Sequence, residues 1–348
     1  MKKRVSLLTV MIFVLALSLG LFLVWQKKKN FEIKYDRITE NQEQEEVSSS
    51  TASDFKSPLS GLPCANAQRR PIAVMLSGDM AARPLSSINQ ADLVFEMPVT
   101  EGSITRLMAV FVCADPKEIG SVRSARHDFI PLALGVDAIY AHWGGSHFAL
   151  DKLKAGILDN LDALPNPYNT FYRKSGIEMP HNGFTSIKRI LAAAKQLNYR
   201  LDSKFVGYPH VAESPPASQE KKTLGINYPG QFKVDYQYNP ETNSYLRLRG
   251  GIKEIDKNTN QQVEAKNVVV MRAETRPLEG QYNDVQVEGE GKAEFYINGQ
   301  ATKGTWKKDK SDQKSKLTFL DGKKQEIKFV PGQIWIEIAD PSQEVKWE

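Results

Sequence analysis

SITRLMAVFVCADPKEIGSVRSARHDFIPLALGVDAIYAHWGGS, residues 103–146, carries the decision about the fold. Its first apolar run, Leu107 to Val112, has neither strand alternation nor helical spacing, the pattern of a strand buried on both faces. After a polar turn, Ser124 can cap a helix running to about Leu134, and Asp137 to His142 returns as a strand. Strands alternating with helices predict an α/β layer fold. The same stretch places Arg106 among residues the pattern buries, and Arg123, Arg126, His127 and Asp128 where a strand turn feeds a helix. Arginine keeps its charge and is costly to bury unpaired, so each inward-facing guanidinium must meet a carboxylate, a carbonyl or a bound anion.

Working outward, Pro71 to Leu76 and Ala91 to Met97 read as two more buried strands, joined by the loop SGDMAARPLSSINQ. Downstream, His147 to Leu161 is amphipathic, and Asn182 or Thr185 can cap a helix reaching Leu197. A polar segment with a Pro-Pro pair, residues 210–222, marks a boundary. Beyond it, strand-like runs flank Asn298-Gly299 and Asp321-Gly322, strong hairpin signals. Trp306, Trp335 and Trp347 are expected in that core. The expected architecture is an α/β first domain over 58–209, a layered sheet with flanking helices. A linker at 210–222 leads to a smaller, mostly antiparallel β domain over 223–348.

Ahead of these domains, Val5 to Trp25 is apolar and flanked by lysines, long enough for a bilayer core of about 30 Å. It ends in Leu-Val-Trp-Gln-Lys without a small-residue cleavage site, which favours an uncleaved transmembrane signal anchor over 1–29. Residues 30–57 are acidic and polar and read as a disordered tether. The short N-terminal side places the globular part outside the cytoplasm. With 46 Lys and Arg against 41 Asp and Glu and no basic stripe, nucleic acid is not an expected partner. Cys64 and Cys113 could pair in that compartment, but the favoured reading is two free thiols, one in a loop and one buried at a strand end.

Candidate site residues come from three places: Glu96 and Glu101; Arg106, Arg123 and Arg126 with Asp128 and His142; and Arg173 with His181 and Asn182. Forked guanidinium groups near a helix N-terminus suit a phosphate or carboxylate. Glu96, Asp128 and His142 are the candidate acid–base groups. The alternative is an internal network in which Glu96 and Glu101 neutralise the arginines. No HExxH, GxSxG, Walker loop or GxGxxG is present, and His142, His147 and His181 with Glu96 lack ligand spacing. No metal and no cofactor are expected.

At RPIAVML, INQADLVFEMPVTEGSITRLMAVF, IGSVRSARHDFIPLALGVDAIYAHWGGS and PHNGFTS, and again at GEGKAEFYINGQATKGTWKK and PGQIWIEI, the chain resembles the YerB-like family of bacterial envelope lipoproteins. The resemblance implies a membrane-tethered, extracytoplasmic pair of domains of unknown function, mostly from Gram-positive bacteria. Lacking a lipobox cysteine, this chain would be tethered by protein instead of lipid. A shorter stretch, ITRLMAVFVCADPKEIGSVRSARHDF followed by AIYAHWGGSHFALDKL, is similar in order to LytR-CpsA-Psr cell-wall ligases. That likeness would make Arg123, Arg126 and Asp128 anion and metal contacts. Three functions stay open: a module binding an anionic envelope component or a wall-synthesis protein, a phosphotransferase-type enzyme acting on a lipid-linked cell-wall precursor, and a scaffold with no small ligand.

Overall fold

Along Ile72–Ser77 (β1) the side chains divide by parity. Ile72, Val74 and Leu76 enter one apolar layer and Ala73 and Met75 the other, all fully buried. A strand with two dry faces has no reason to alternate polar and apolar residues, and each large side chain it buries is worth about 1.5–3 kcal/mol. The computed structural model describes residues 55–100, 104–212 and 217–348. The expected anchor at 1–29 and nearly all of the tether lie outside the described residues. Among those described, no helix is long and apolar enough to cross a membrane.

In chain order β1 is followed by Leu93–Pro98 (β2), Thr105–Phe111 (β3), Ile139–His142 (β4) and Asn160–Asp162 (β5). Then come Thr223–Ile226 (β6), Val234–Asn239 (β7), Ser244–Arg249 (β8), Asn267–Arg272 (β9) and Gly289–Ile297 (β10). Gln300–Lys308 (β11), Thr318–Asp321 (β12), Ile334–Ala339 (β13) and Val345–Trp347 (β14) follow, and further strands of two or three residues lie between these. Ten strands form one mixed sheet in the order β12-β11-β10-β9-β13-β2-β3-β1-β4-β5. The α/β expectation for the first region holds, as does the smaller antiparallel sheet of the second, in which β8, β7, β6 and β14 lie side by side. The linker reading does not show that β9 to β13 also extend the first sheet, with β13 parallel to β2. Ser53–Glu348 is accordingly one compact unit.

One face of the large sheet is covered by Phe129–Gly135 (α1) and His147–Lys154 (α2), the other by Ile187–Gln196 (α3) and the antiparallel sheet. The helices are shorter than the periodicity predicts. Ala125 is held in a bridge to Gly145, so α1 starts after Asp128 and not at Ser124. Gly156 at φ +72 follows the end of α2, and the chain leaves as β5. Ser186, accepting from the Arg189 N–H, caps α3 in place of Asn182 or Thr185. Asn298 and Gly299, both at positive φ, make the tight turn between β10 and β11.

Between the two sheets lies a dry ionic network. Arg247 pairs with Glu96, with Glu254 at 2.8 Å and with Glu337 at 3.0 Å, and Arg249 pairs with the same Glu96 and Glu254. Tyr236 donates to Glu337 at 2.6 Å, and the Arg247 guanidinium lies 4.1 Å from the centre of the Trp335 ring. Glu96 and Glu337 are register partners on β2 and β13, so two carboxylates stand side by side. Burial works to raise Glu96, but Arg249 and Arg247 outweigh it and hold the carboxyl down. Burial raises Glu337 to about 7; Arg247 opposes the shift and the charge on Glu96 adds to it.

Cys64 and Cys113 form a disulfide with Cα atoms 5.6 Å apart, which corrects the reading as free thiols. Asn66 donates to the Cys113 carbonyl at 3.0 Å and Arg69 to the Ala114 carbonyl at 2.8 Å, clasping the turn after Cys64 against the end of β3. The bridge spans 49 residues, so Cys64→Ser with Cys113→Ser is expected to cost about 2–4 kcal/mol in urea unfolding. A carboxyl raised in the folded state contributes full stability below its ordinary 4.5 and loses it as pH rises towards about 7. Unfolding free energy should therefore fall between pH 5 and 8 by an amount on the order of 2 kcal/mol that Glu337→Gln removes. Parallel pH profiles of the two proteins measure the difference.

Candidate functional site

Arg106, Arg123 and Arg126 come together where β1 ends and β3 begins. Gly78 follows β1 so closely that a Cβ there would lie 2.4 Å from Thr105 Oγ1, and only glycine lets the chain pass. The turn delivers Asp79, whose Oδ2 accepts from Ser77 Oγ at 2.8 Å. Arg106, the register partner of Ser77, donates to that oxygen at 3.3 Å. Arg123 Nη2 stands 3.8 Å from it, its backbone fixed by donation to the Met75 carbonyl and acceptance from Trp143 N–H. Arg126 donates Nη1 to the Ala125 carbonyl and lays its guanidinium 5.3 Å from the Tyr282 ring centre.

Two guanidinium groups thus share one carboxylate, and among the described residues none of the ion pairs involves the third, Arg126. The Nε atoms of Arg106, Arg123 and Arg126 are buried without a hydrogen-bond partner. Burial pushes Arg106 down to about 9, Asp79 pulls it back, and the like charges of Arg123 and Arg126 push it further. Arginine does not give up its proton at such values, so the depression measures how poorly the group is compensated. Burial lowers Arg123 and Arg126 as well.

Of the three, Arg123 lines an open hollow of about 540 Å³, together with Asp79, Met80, Ala81, His181 and Gln231. His181 is lowered by burial first and then by the charge of Arg123. Arg173 stacks 4.3 Å from the Trp143 ring centre and donates to Asn182 Oδ1 at 2.6 Å, so both brace the loop that presents His181.

The other candidates lie elsewhere. Glu96 is consumed by Arg247 and Arg249 between the sheets, so the internal network foreseen for it exists but with different arginines. His142 is fully buried, with Nδ1 2.8 Å from the Gly144 carbonyl and Nε2 3.2 Å from Asn160 Oδ1, where it shapes the turn before α2. Asp128 is buried beside His127 and Asp284, and burial raises its carboxyl while the His127 hydrogen bond opposes the shift. Glu101 lies outside the described residues. Among the described residues His127, Asp128 and Asp284 are the one group with metal-ligand geometry, not the histidines with Glu96 weighed from the sequence.

Sequence reasoning missed Asp79 and Gln231. Asp79 carries a usable signal, since it falls two residues past a buried strand, where sites on such sheets collect. Gln231 has none, because it arrives from the antiparallel sheet.

Two family descriptions match the chain: "Protein of unknown function (DUF3048) N-terminal domain" over residues 59–200, and its C-terminal counterpart over residues 224–336. "Putative lipoprotein YerB" of Bacillus subtilis (strain 168) is 30% identical over 303 residues, which cover 85% of this chain and 90% of that protein. The crystal structure of the Bacillus subtilis YerB protein superposes with a TM-score of 0.75 at 27% identity, covering 84% of this chain and all of that one.

Proposed function

Since the chain belongs to the YerB-like, two-domain DUF3048 family, we propose that it is an extracytoplasmic envelope protein that captures an anionic ligand in its arginine hollow. The relative's description as a lipoprotein supports an envelope location, and the apolar run before Lys27 would serve as a single-pass anchor in place of lipid. One observation carries the binding role: Arg106 and Arg123 share a single carboxylate and, among the described residues, Arg126 enters no ion pair, leaving charge for a guest. Guanidinium forks match phosphate and carboxylate oxygens in pairs, so an anionic cell-wall component or precursor is the class of guest that fits. In that role the protein acts in wall assembly or its regulation.

Capture is favoured over turnover because neither Glu96 nor His142 lines the hollow and both are fully buried. Calorimetric titration with pyrophosphate should show saturable binding that weakens at least tenfold when Arg123 and Arg126 are both changed to Ala, with no product from labelled lipid-linked precursor and magnesium. Unchanged affinity in the double variant removes the reading, and product formation would restore the enzyme.

An anion beside His181 favours the imidazolium, whose free value lies below the ordinary 6.5. Binding should then tighten as pH falls below about 6.5, by roughly tenfold or less, and His181→Gln should flatten that dependence. The measurement is the pyrophosphate dissociation constant at pH 5.5 and 7.5.

A further inference from the structure

At the N-terminus of α1, away from the hollow's lining, three side chains converge. His127 Nε2 stands 3.0 Å from Asp128 Oδ1 and 3.6 Å from Asp284 Oδ1. Asp284 comes from the strand Asn283–Val285, more than 150 residues along the chain, so the grouping is tertiary and not an accident of local sequence. Its other oxygen, Oδ2, is fully engaged by Arg276 at 2.6 Å and Gln286 at 2.9 Å, which fixes the carboxylate with Oδ1 turned to the imidazole.

A hydrogen-bonded trio alone leaves much unexplained. Nε2 carries at most one proton, yet two carboxylate oxygens face it. Asp128 is only 4% exposed and His127 8%, but no hydrogen bond of ordinary geometry reaches Asp128 Oδ2 or His127 Nδ1. Asp128 Oδ1 and Asp284 Oδ1 thus both face the imidazole Nε2. Buried polar atoms without partners are costly and ask for an explanation. The nearest arginine in sequence, Arg126, is turned onto the Ala125 carbonyl and the Tyr282 ring and forms no ion pair with Asp128.

We propose that His127, Asp128 and Asp284 form a binding site for a divalent transition-metal ion, with zinc fitting the ligand set best. Ligands about 2.0 Å from a tetrahedral ion are about 3.3 Å apart, and the two separations at Nε2 bracket that figure. The three donor atoms all lie within 4.8 Å of one another, a spread that small carboxylate rotations close around an ion. One imidazole nitrogen with two carboxylates suits zinc or manganese, whereas magnesium prefers oxygen alone. The ion would tie α1 to the hairpin of Thr275–Pro277 and Asn283–Val285, binding two parts of the chain that match different family segments. The site stands independently of anion capture.

The test is calorimetric titration of the full chain, stripped with chelator, with zinc alone. One equivalent should bind with micromolar or tighter affinity, and Asp128→Asn and Asp284→Asn should each weaken it at least tenfold. His147→Ala should leave it unchanged, since His147 pairs with the exposed Glu279 and stacks on Phe148 and Tyr282, none of them a donor in the site. Binding that survives both aspartate changes, or that falls with His147→Ala, places the ion elsewhere and overturns the proposal. Should the aspartate variants fail to fold, cobalt titration of the unaltered chain decides. A saturable visible band at one equivalent with nitrogen and oxygen ligation supports the site, and its absence overturns it.

Discussion

The pairing of Glu96 with Arg247 and Arg249 is the interaction on which the rest depends. Charges with no access to water are tolerated only when they meet opposite charge in good geometry, and removing one partner of such a pair typically costs about 3–5 kcal/mol. Here the partners come from different sheets. The apolar layer around Tyr236, Trp335, Val94 and Val268 would press those sheets together in many registers, because apolar contact is not directional. The ionic pairs select one. Once Glu96 is clamped, β2 and β3 are fixed against the antiparallel sheet. Because Arg106 and Ser77 are register partners, the position of the arginine hollow follows from the same clamp.

Much of this was legible in the sequence wherever the cause is local. Ile72–Ser77 and Thr105–Phe111 announce double burial by their unbroken apolar runs, and Asn298-Gly299 announces its turn through two residues that accept positive φ. Helix ends were misplaced where a tertiary contact competes with propensity, as the Ala125 bridge to Gly145 does with the cap offered by Ser124. Long-range partners were not legible at all. Nothing around Glu96 says that its counter-ions stand about 150 residues downstream, and nothing around Asp128 says that Asp284 will face it. The same limit hid the bond between Cys64 and Cys113, whose separation in the chain is silent about their separation in space.

The two clusters of buried charge follow opposite designs. Between the sheets, two guanidinium groups face three carboxylates, and burial together with the charge on Glu96 raises Glu337 above the ordinary carboxylate range. Where β1 ends and β3 begins, Arg106 and Arg123 share Asp79 while Arg126 pairs with no carboxylate among the described residues, and arginine has no proton it can shed to restore balance. The first cluster matches its charges largely within itself. The second leaves charge uncompensated beside the hollow that Arg123 lines.

The single sheet running through both family segments has a consequence for how such chains can change over time. With β13 wedged between β2 and β9, neither segment closes its own sheet, and separation would bare a long apolar strand edge on each piece. Recombination that shuffles domains between genes works when each piece folds by itself, and this geometry denies that freedom. The two halves must be inherited, exchanged and lost as a pair, whatever guest the hollow has come to hold.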